Sequence, residues 1–220
     1  MTKNDKGYKG VGMEGPIARW YATNTGRSPD RFAEQAVQVR ERTAPGSEIL
    51  EVAPGPGYLS IALARTGDYT VTGLDISETF VEIAREKAAE AGVEVDFRVG
   101  NASAMPFEDE SFDFVVCCAA FKNFSDPVGA LQEMHRVLRP GGRALINDLR
   151  RDVSKEAVDE DVDRMGLGGL SKAFTKYVLR SFLPRQAYTK SEFEGLVAQT
   201  RFRTCDVRLS PLSLDVDLRK

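Results

Sequence analysis

The chain has 220 residues, of which 42% are hydrophobic and 29% charged, and a formal net charge of −3. That size and balance suit one globular α/β domain with a short extension, able to bury a core without disulfide or metal staples. The slight acidity disfavours a nucleic-acid partner, and no apolar run approaches the roughly 18 residues that a membrane-spanning helix needs. The three cysteines, Cys117, Cys118 and Cys205, and the one histidine, His135, show no zinc-ligand spacing. They are expected to be reduced, mostly buried thiols and a structural imidazole, in a cytoplasmic protein with no metal site that works as a monomer or homodimer. The polar start MTKNDKGYKGVG lacks the apolar core of a secretion signal.

In chain order, residues 1–12 are expected to be mobile and residues 17–22 to form a short helix. Ser28-Pro29 reads as a cap followed by proline at the first helical position. The helix it opens carries Phe32, Ala33, Ala36 and Val37 on one face, and Pro45-Gly46 ends it. From there short apolar runs alternate with amphipathic stretches. Strands are expected at 48–53, 69–75, 93–99, 112–120 and 143–149. Helices are expected at 59–65, from the cap Ser77 to Ala91, and from Asp126-Pro127 to a stop at Pro140-Gly141-Gly142. The run at 93–99 alternates apolar and polar residues, as a half-exposed edge strand does. FDFVVCCAA at 112–120 is apolar almost throughout, as a strand covered on both faces must be.

Single strands alternating with single helices imply right-handed crossovers and a parallel sheet. Residues 151–188 break the pattern. They are helical and charged, interrupted by Gly166, Gly168, Gly169 and Pro184, and read as an insertion. Ser191 and Glu194 carry a capping-box signature for a last helix reaching Thr200. The two segments that follow meet near Pro211 and must pair antiparallel. The expected fold is an α/β, Rossmann-like, doubly wound seven-stranded sheet. It is mostly parallel, with a C-terminal antiparallel hairpin and helices on both faces. Its parts are a helical cap at 1–46, a core at 47–150, a helical lid at 151–188, and the last helix and hairpin at 189–220.

The first strand of the core runs into Ala53-Pro54-Gly55-Pro56-Gly57-Tyr58 and then a helix. A glycine turn there lets a ligand approach the backbone. Ser60 stands where a dinucleotide fingerprint wants a third small glycine. Asp75 ends the second strand, where a carboxylate can accept both hydroxyls of a ribose. Its alternative role is a helix cap, which Ser77 already fills.

Four segments together resemble class I methyltransferases dependent on S-adenosylmethionine (SAM), in particular the ubiquinone/menaquinone-biosynthesis type acting on small molecules. They are ILEVAPGPGYLSIALA, VTGLDIS, VGNASAMPFEDESFDFVVCCAA and DPVGALQEMHRVLRPGG, spanning residues 48–150 in that order. The resemblance implies SAM as cofactor, S-adenosylhomocysteine (SAH) as product and a small-molecule acceptor. It implies that Glu51 and the turn with Ala53, Gly55 and Gly57 hold the methionine part, and that Asp75 binds the ribose. Ile76 would pack on adenine, with Asn101 and the Ala102 backbone at its polar edge. Ala119 would approach the ligand from the fourth strand. Trp20-Tyr21 resembles the aromatic pair of the N-terminal helix that closes over the methionine end. Ala53 replaces the usual glycine and Asn101 the usual aspartate, an amide that still accepts but carries no charge.

Methyl transfer from a sulfonium mainly needs positioning, which supplies roughly 7–11 kcal/mol. A hydroxyl acceptor also gains about 10²–10⁴-fold from a base. Candidates at the mouth are Tyr21, Lys122, Asn123 and Asp148, with Arg150, Tyr177 and Tyr188 beside them. Asp148 is the best-placed carboxylate, or else a salt-bridge partner of Arg150 or Arg151. Lys122 steers an anionic acceptor, or else is a solvated loop lysine. Phe174, Tyr177, Phe182 and Tyr188 suggest a partly apolar pocket, or else pack in a core. The alternative function is a SAM-binding sensor or partner subunit without catalysis. A nicotinamide oxidoreductase is disfavoured by Ser60 and the terminal hairpin.

Overall fold

The structure, a computed structural model, describes residues 7–9, 12–25, 29–164, 168–177 and 183–220. Its first helices are α1 (Gly15–Thr25) and α2 (Pro29–Arg40). The core follows as β1 (Glu48–Val52), α3 (Tyr58–Ala64), β2 (Thr70–Asp75), α4 (Glu78–Ala91), β3 (Asp96–Val99), β4 (Phe112–Cys118), α5 (Pro127–Val137) and β5 (Leu138–Leu149). Then come α6 (Lys155–Arg164), α7 (Gly169–Tyr177), α8 (Lys190–Val197), β6 (Asp206–Leu209) and β7 (Ser213–Arg219).

The strands form one sheet in the order β3-β2-β1-β4-β5-β7-β6. β1 to β5 pair in parallel, while β7 lies antiparallel between β5 and β6. The expected doubly wound sheet with a C-terminal hairpin is therefore what forms, with the second strand of the hairpin next to the core. Odd-numbered residues of β1 face α2 and α3, where Ile49 packs with Val71, Phe114, Val116, Leu59 and Leu63. Even-numbered ones face α5 and α8, where Leu50 and Val52 meet Leu131, Met134, Phe193 and Val197. Each fully buried Leu, Ile or Phe here contributes about 1.5–3 kcal/mol.

Several local expectations are corrected. The buried face of α2 holds Ala36 and Val39, with Phe32 packed beside them, while Ala33 is exposed and Val37 half exposed; Val39, three residues after Ala36, falls on the face toward α3, and Val37 does not. β3 shrinks to four residues: Phe97 is buried under α4, and Val99 at the sheet edge is exposed. α5 ends at Val137, and Pro140-Gly141-Gly142 falls within β5, beside a register irregularity against β4. The capping box of α8 is Thr189 with Glu192, not Ser191 with Glu194. Tyr188 pairs with Arg150 as an isolated bridge, so the chain stays extended through Tyr188 and the helix must start at the next residue.

The segment expected to be mobile is tied down where it is described. Tyr8 pairs with Phe124, and the Lys9 N–H donates to the Asn123 carbonyl at 2.7 Å. Glu14 accepts from the Glu78 and Thr79 N–H groups at the start of α4, both at 3.1 Å. α1 buries Ala18 and Ala22 against Phe80 and Ile83. In the insertion, α6 and α7 are joined by Lys176 to Asp159 and Asp163 and by Lys172 to Asp163. Phe182 and the Phe174 side chain, expected in the pocket, lie outside the described residues.

Candidate active site

The strand order reverses between β1 and β4, so the loops after them diverge and leave a crevice at their carboxyl ends. The turn after β1 forms its floor. Ala53 has φ +57°, Gly55 +55° and Gly57 +78°. Ala53 is held in this left-handed conformation while its N–H donates to Leu74 at 2.7 Å; a β-carbon there costs about 1–2 kcal/mol. Ala119, at the end of β4, has the same φ of +57° and donates to Asn147 at 2.7 Å.

The two glycines serve different ends. A β-carbon on Gly57 would lie 2.7 Å from Phe97 and 2.9 Å from Ala84, so its absence lets α3 and α4 close on the sheet. A β-carbon on Gly55 would meet nothing within 4 Å. The backbone there faces open space, as ligand approach requires.

Two buried carboxylates flank the turn. Asp75, 5% exposed, accepts from Gly55 N–H and Ser77 N–H, both at 2.9 Å. Burial pushes its pKa up to about 6 despite those bonds. It thus ties the glycine turn to the start of α4, while Ser77 caps that helix through the Phe80 N–H. Glu51 faces α3, where the Ser60 hydroxyl donates to it at 2.5 Å. Burial pushes Glu51 to about 7, against the lowering effect of Ser60 and aided by the charge of Asp75. Sequence reasoning missed Ser60 as a partner, although it lies on the first turn of the helix that Glu51 faces.

Around the rim, Ile76 is 40% exposed, an apolar side chain held open at the crevice. Asn101 accepts from Ser103 N–H at 2.9 Å, which fixes its amide in a tight turn beside Ala102. Residues 7–9, also missed, form a strap here. A β-carbon on Gly7 would lie 2.4 Å from Ile76 and 3.0 Å from the Asn101 amide. Burial, aided by the nearby Asp75 carboxylate, pushes the Tyr8 phenol upward. These contacts run through backbone and leave no sequence pattern. Tyr21 stacks edge-on against Phe80 at 5.8 Å, whereas Trp20 is 67% exposed. Of the expected aromatic pair, Tyr21 makes this ring contact yet is itself 37% exposed.

The mouth candidates are rearranged. Lys122 is neither solvated nor free. It is 7% exposed in its side chain and pairs at 2.8 Å with Asp148, itself 4% exposed. Lys122 also donates to the Ala119 carbonyl at 2.5 Å, and Asp148 accepts from the Lys122 and Leu149 N–H groups. Asp148 thus accepts three hydrogen bonds, and its partner is Lys122 rather than Arg150 or Arg151. Those pair with Asp152 and Glu192. Asn123 lies in a single 3-10 turn over Phe121–Asn123, its carbonyl used by Lys9. Tyr177 is exposed and far from burial; Tyr188 packs on Phe121 and Phe193, with ring centroids 6.0 Å away in each case. His135 packs edge-on against Phe202, and burial pulls its imidazole downward. Burial pushes all three thiols up, which disfavours the reactive thiolate. No cluster of metal-ligating side chains exists among the described residues.

A switch-point crevice with this turn and acidic strand end defines a class, and comparison with known proteins agrees. A family model described as a methyltransferase domain matches residues 50–146. A SAM-dependent methyltransferase structure from Methanococcus maripaludis superposes with a TM-score of 0.74 at 18% identity, over 100% of this chain and 97% of its own. A plantazolicin methyltransferase, solved with SAH, gives 0.70 at 16% identity, over 93% and 90%. Residues 50–146 thus match a methyltransferase domain, and the chain has the fold of these methyltransferase structures.

Within that class it resembles the demethylmenaquinone methyltransferases. That of Thermus thermophilus is 40% identical over 117 residues, 53% of each chain. That of Listeria monocytogenes is 33% identical over 164 residues, 73% of this chain and 65% of its own. The chain thus spans between half and two thirds of the length of these relatives. Among the described residues no helix is long and apolar enough to cross a membrane.

Proposed function

We propose that the chain transfers a methyl group from SAM to a small-molecule acceptor, and that the acceptor is a hydroxylated aromatic, the reduced form of a quinone such as the demethylmenaquinone in its relatives' name. The observation that carries the reading is the crevice at the switch point. There Gly55 offers open backbone, while Asp75 and Glu51 present carboxylates on either side of it.

The residues present fit SAM. Asp75 would take the ribose hydroxyls, exchanging its hold on Gly55 for the ligand. Ile76, Asn101 and Ala102 would receive adenine. Glu51, the turn at Ala53, Gly55 and Gly57, and Tyr21 would hold the methionine end, with Ala119 beside the reacting centre. SAM supplies an electrophilic methyl on a sulfonium and leaves as the thioether. This chain's residues bind, orient and exclude water, the largest part of the acceleration. The Lys122–Asp148 pair fixes the turn after β4 rather than moving a proton.

We further assign the strap at 7–9, α1 and the insertion at 151–188 to a cap over the acceptor, and the protein to a reducing cytoplasm on its three unpaired thiols. Incubation with methyl-labelled SAM and a hydroquinone such as naphthohydroquinone tests the activity. Labelled product is expected; SAM binding with no transfer to any hydroxyaryl, amine or thiol acceptor would reduce the protein to a SAM sensor.

A further inference from the structure

We propose that Lys9 and Tyr188 form the site that grips an ionised hydroxyl of the acceptor. This rests on the methyltransferase reading for what the ligand is, and on geometry for where it sits. The Lys9 ammonium donates to the Tyr188 hydroxyl at 3.0 Å and lies 5.3 Å from the centroid of its ring. Both residues border the turn after β4. The Lys9 N–H holds the Asn123 carbonyl, and the Tyr188 ring packs on Phe121. Elements far apart in the chain, residue 9 in the strap and residue 188 before α8, are thus brought together at the mouth.

The donor count sets the chemistry. Tyr188 accepts from Lys9, so its own proton points elsewhere, and no protein acceptor for it is found among the described residues. The ammonium has three hydrogens and spends one on Tyr188. Lys9 has no carboxylate partner among the described residues. The other lysine of this quarter, Lys122, is spent on Asp148 and the Ala119 carbonyl. A cation and a phenol about one hydrogen bond apart, both with donors to spare, match a single anionic oxygen. The aromatic side chains behind them suit an oxygen carried on an aryl ring.

The alternative is a latch that merely holds the strap down, and the test separates the two. The full chain, with and without SAH, is titrated with para-nitrophenol, whose phenol and phenolate absorb differently, and with its neutral methyl ether, para-nitroanisole. The wild type is expected to take the phenolate in preference, lowering the apparent pKa of the bound probe. Lys9→Met should weaken phenolate binding about tenfold or more and leave the ether unchanged. Lys9→Arg should retain most of the affinity, and Tyr188→Phe should lose a few-fold. Parallel loss of both probes in Lys9→Met, unchanged binding in every variant, or no phenolate binding to the wild type would overturn the site. Calorimetry with SAH on the same preparations tests the methyltransferase reading separately.

Discussion

Glu51 and Ser60 form a 2.5 Å hydrogen bond between the end of β1 and the start of α3, and on the proposed placement of SAM this bond would couple cofactor binding to pH. Burial holds Glu51 near 7, and Asp75 on β2 and Cys117 and Cys118 on β4 are its ionisable neighbours. The raised value means that the ligand-free fold holds the proton more tightly than the unfolded chain does. This contribution to stability is present at low pH and is lost as pH rises through about 7. A bound ammonium needs the carboxylate, so binding below that pH must release a proton. SAM affinity should fall about tenfold per unit below pH 7, and Ser60→Ala should move the midpoint upward. Calorimetry in buffers of different ionisation heat reads this directly. A flat affinity profile between pH 5.5 and 8, with no proton released, would remove Glu51 from the methionine site.

Gly55 and Gly57 should separate stability from binding. Gly57→Ala drives a β-carbon into Phe97 at 2.7 Å with φ +78° and should cost about 2–4 kcal/mol in denaturant unfolding. Gly55→Ala meets no neighbour and should cost only about 1 kcal/mol, yet abolish measurable SAM binding. Equal effects of the two on stability would contradict the division.

Ala53 is a place where the protein can be improved. Its φ of +57° is strained for alanine, so Ala53→Gly should stabilise by about 0.5–1 kcal/mol even though glycine adds chain entropy. A lower thermal midpoint in Ala53→Gly would show that the entropy term wins.

Lys122 and Asp148 should behave as a buried pair. Removing either partner strands a charge and should destabilise by about 3–5 kcal/mol. The double variant Lys122→Met/Asp148→Leu should recover much of that loss, read as a positive coupling in a double-mutant cycle. If Asp148→Asn kept full stability and lost only turnover with a hydroxyl acceptor, Asp148 would be the base and not a structural anchor.

Most of the sheet was legible because apolar runs of strand length alternate with helices whose apolar faces repeat every three to four residues. The crevice was legible because its turn and Asp75 are contiguous motifs. What escaped has a physical reason. Lys122 sits in a loop sequence that looks solvated, and only a partner 26 residues away buries it. Two residue pairs around α8 satisfy the capping pattern equally, and the extended pairing of Tyr188 with Arg150 decides between them. The strap at 7–9 binds through backbone groups and a glycine's missing side chain, neither of which has a hydrophobic period. Lys9 and Tyr188 meet across 179 positions, a separation no local pattern encodes.

The measurement that tests the central claim most directly is calorimetric titration of the wild type and Asp75→Asn at pH 8 with SAM, SAH and NADH. The account expects one site per chain for the two adenosyl ligands, none for NADH, and affinity at least about tenfold weaker in Asp75→Asn. Absence of SAM and SAH binding to the wild type, or affinity in Asp75→Asn equal to it, would contradict the placement of the cofactor at the end of β2.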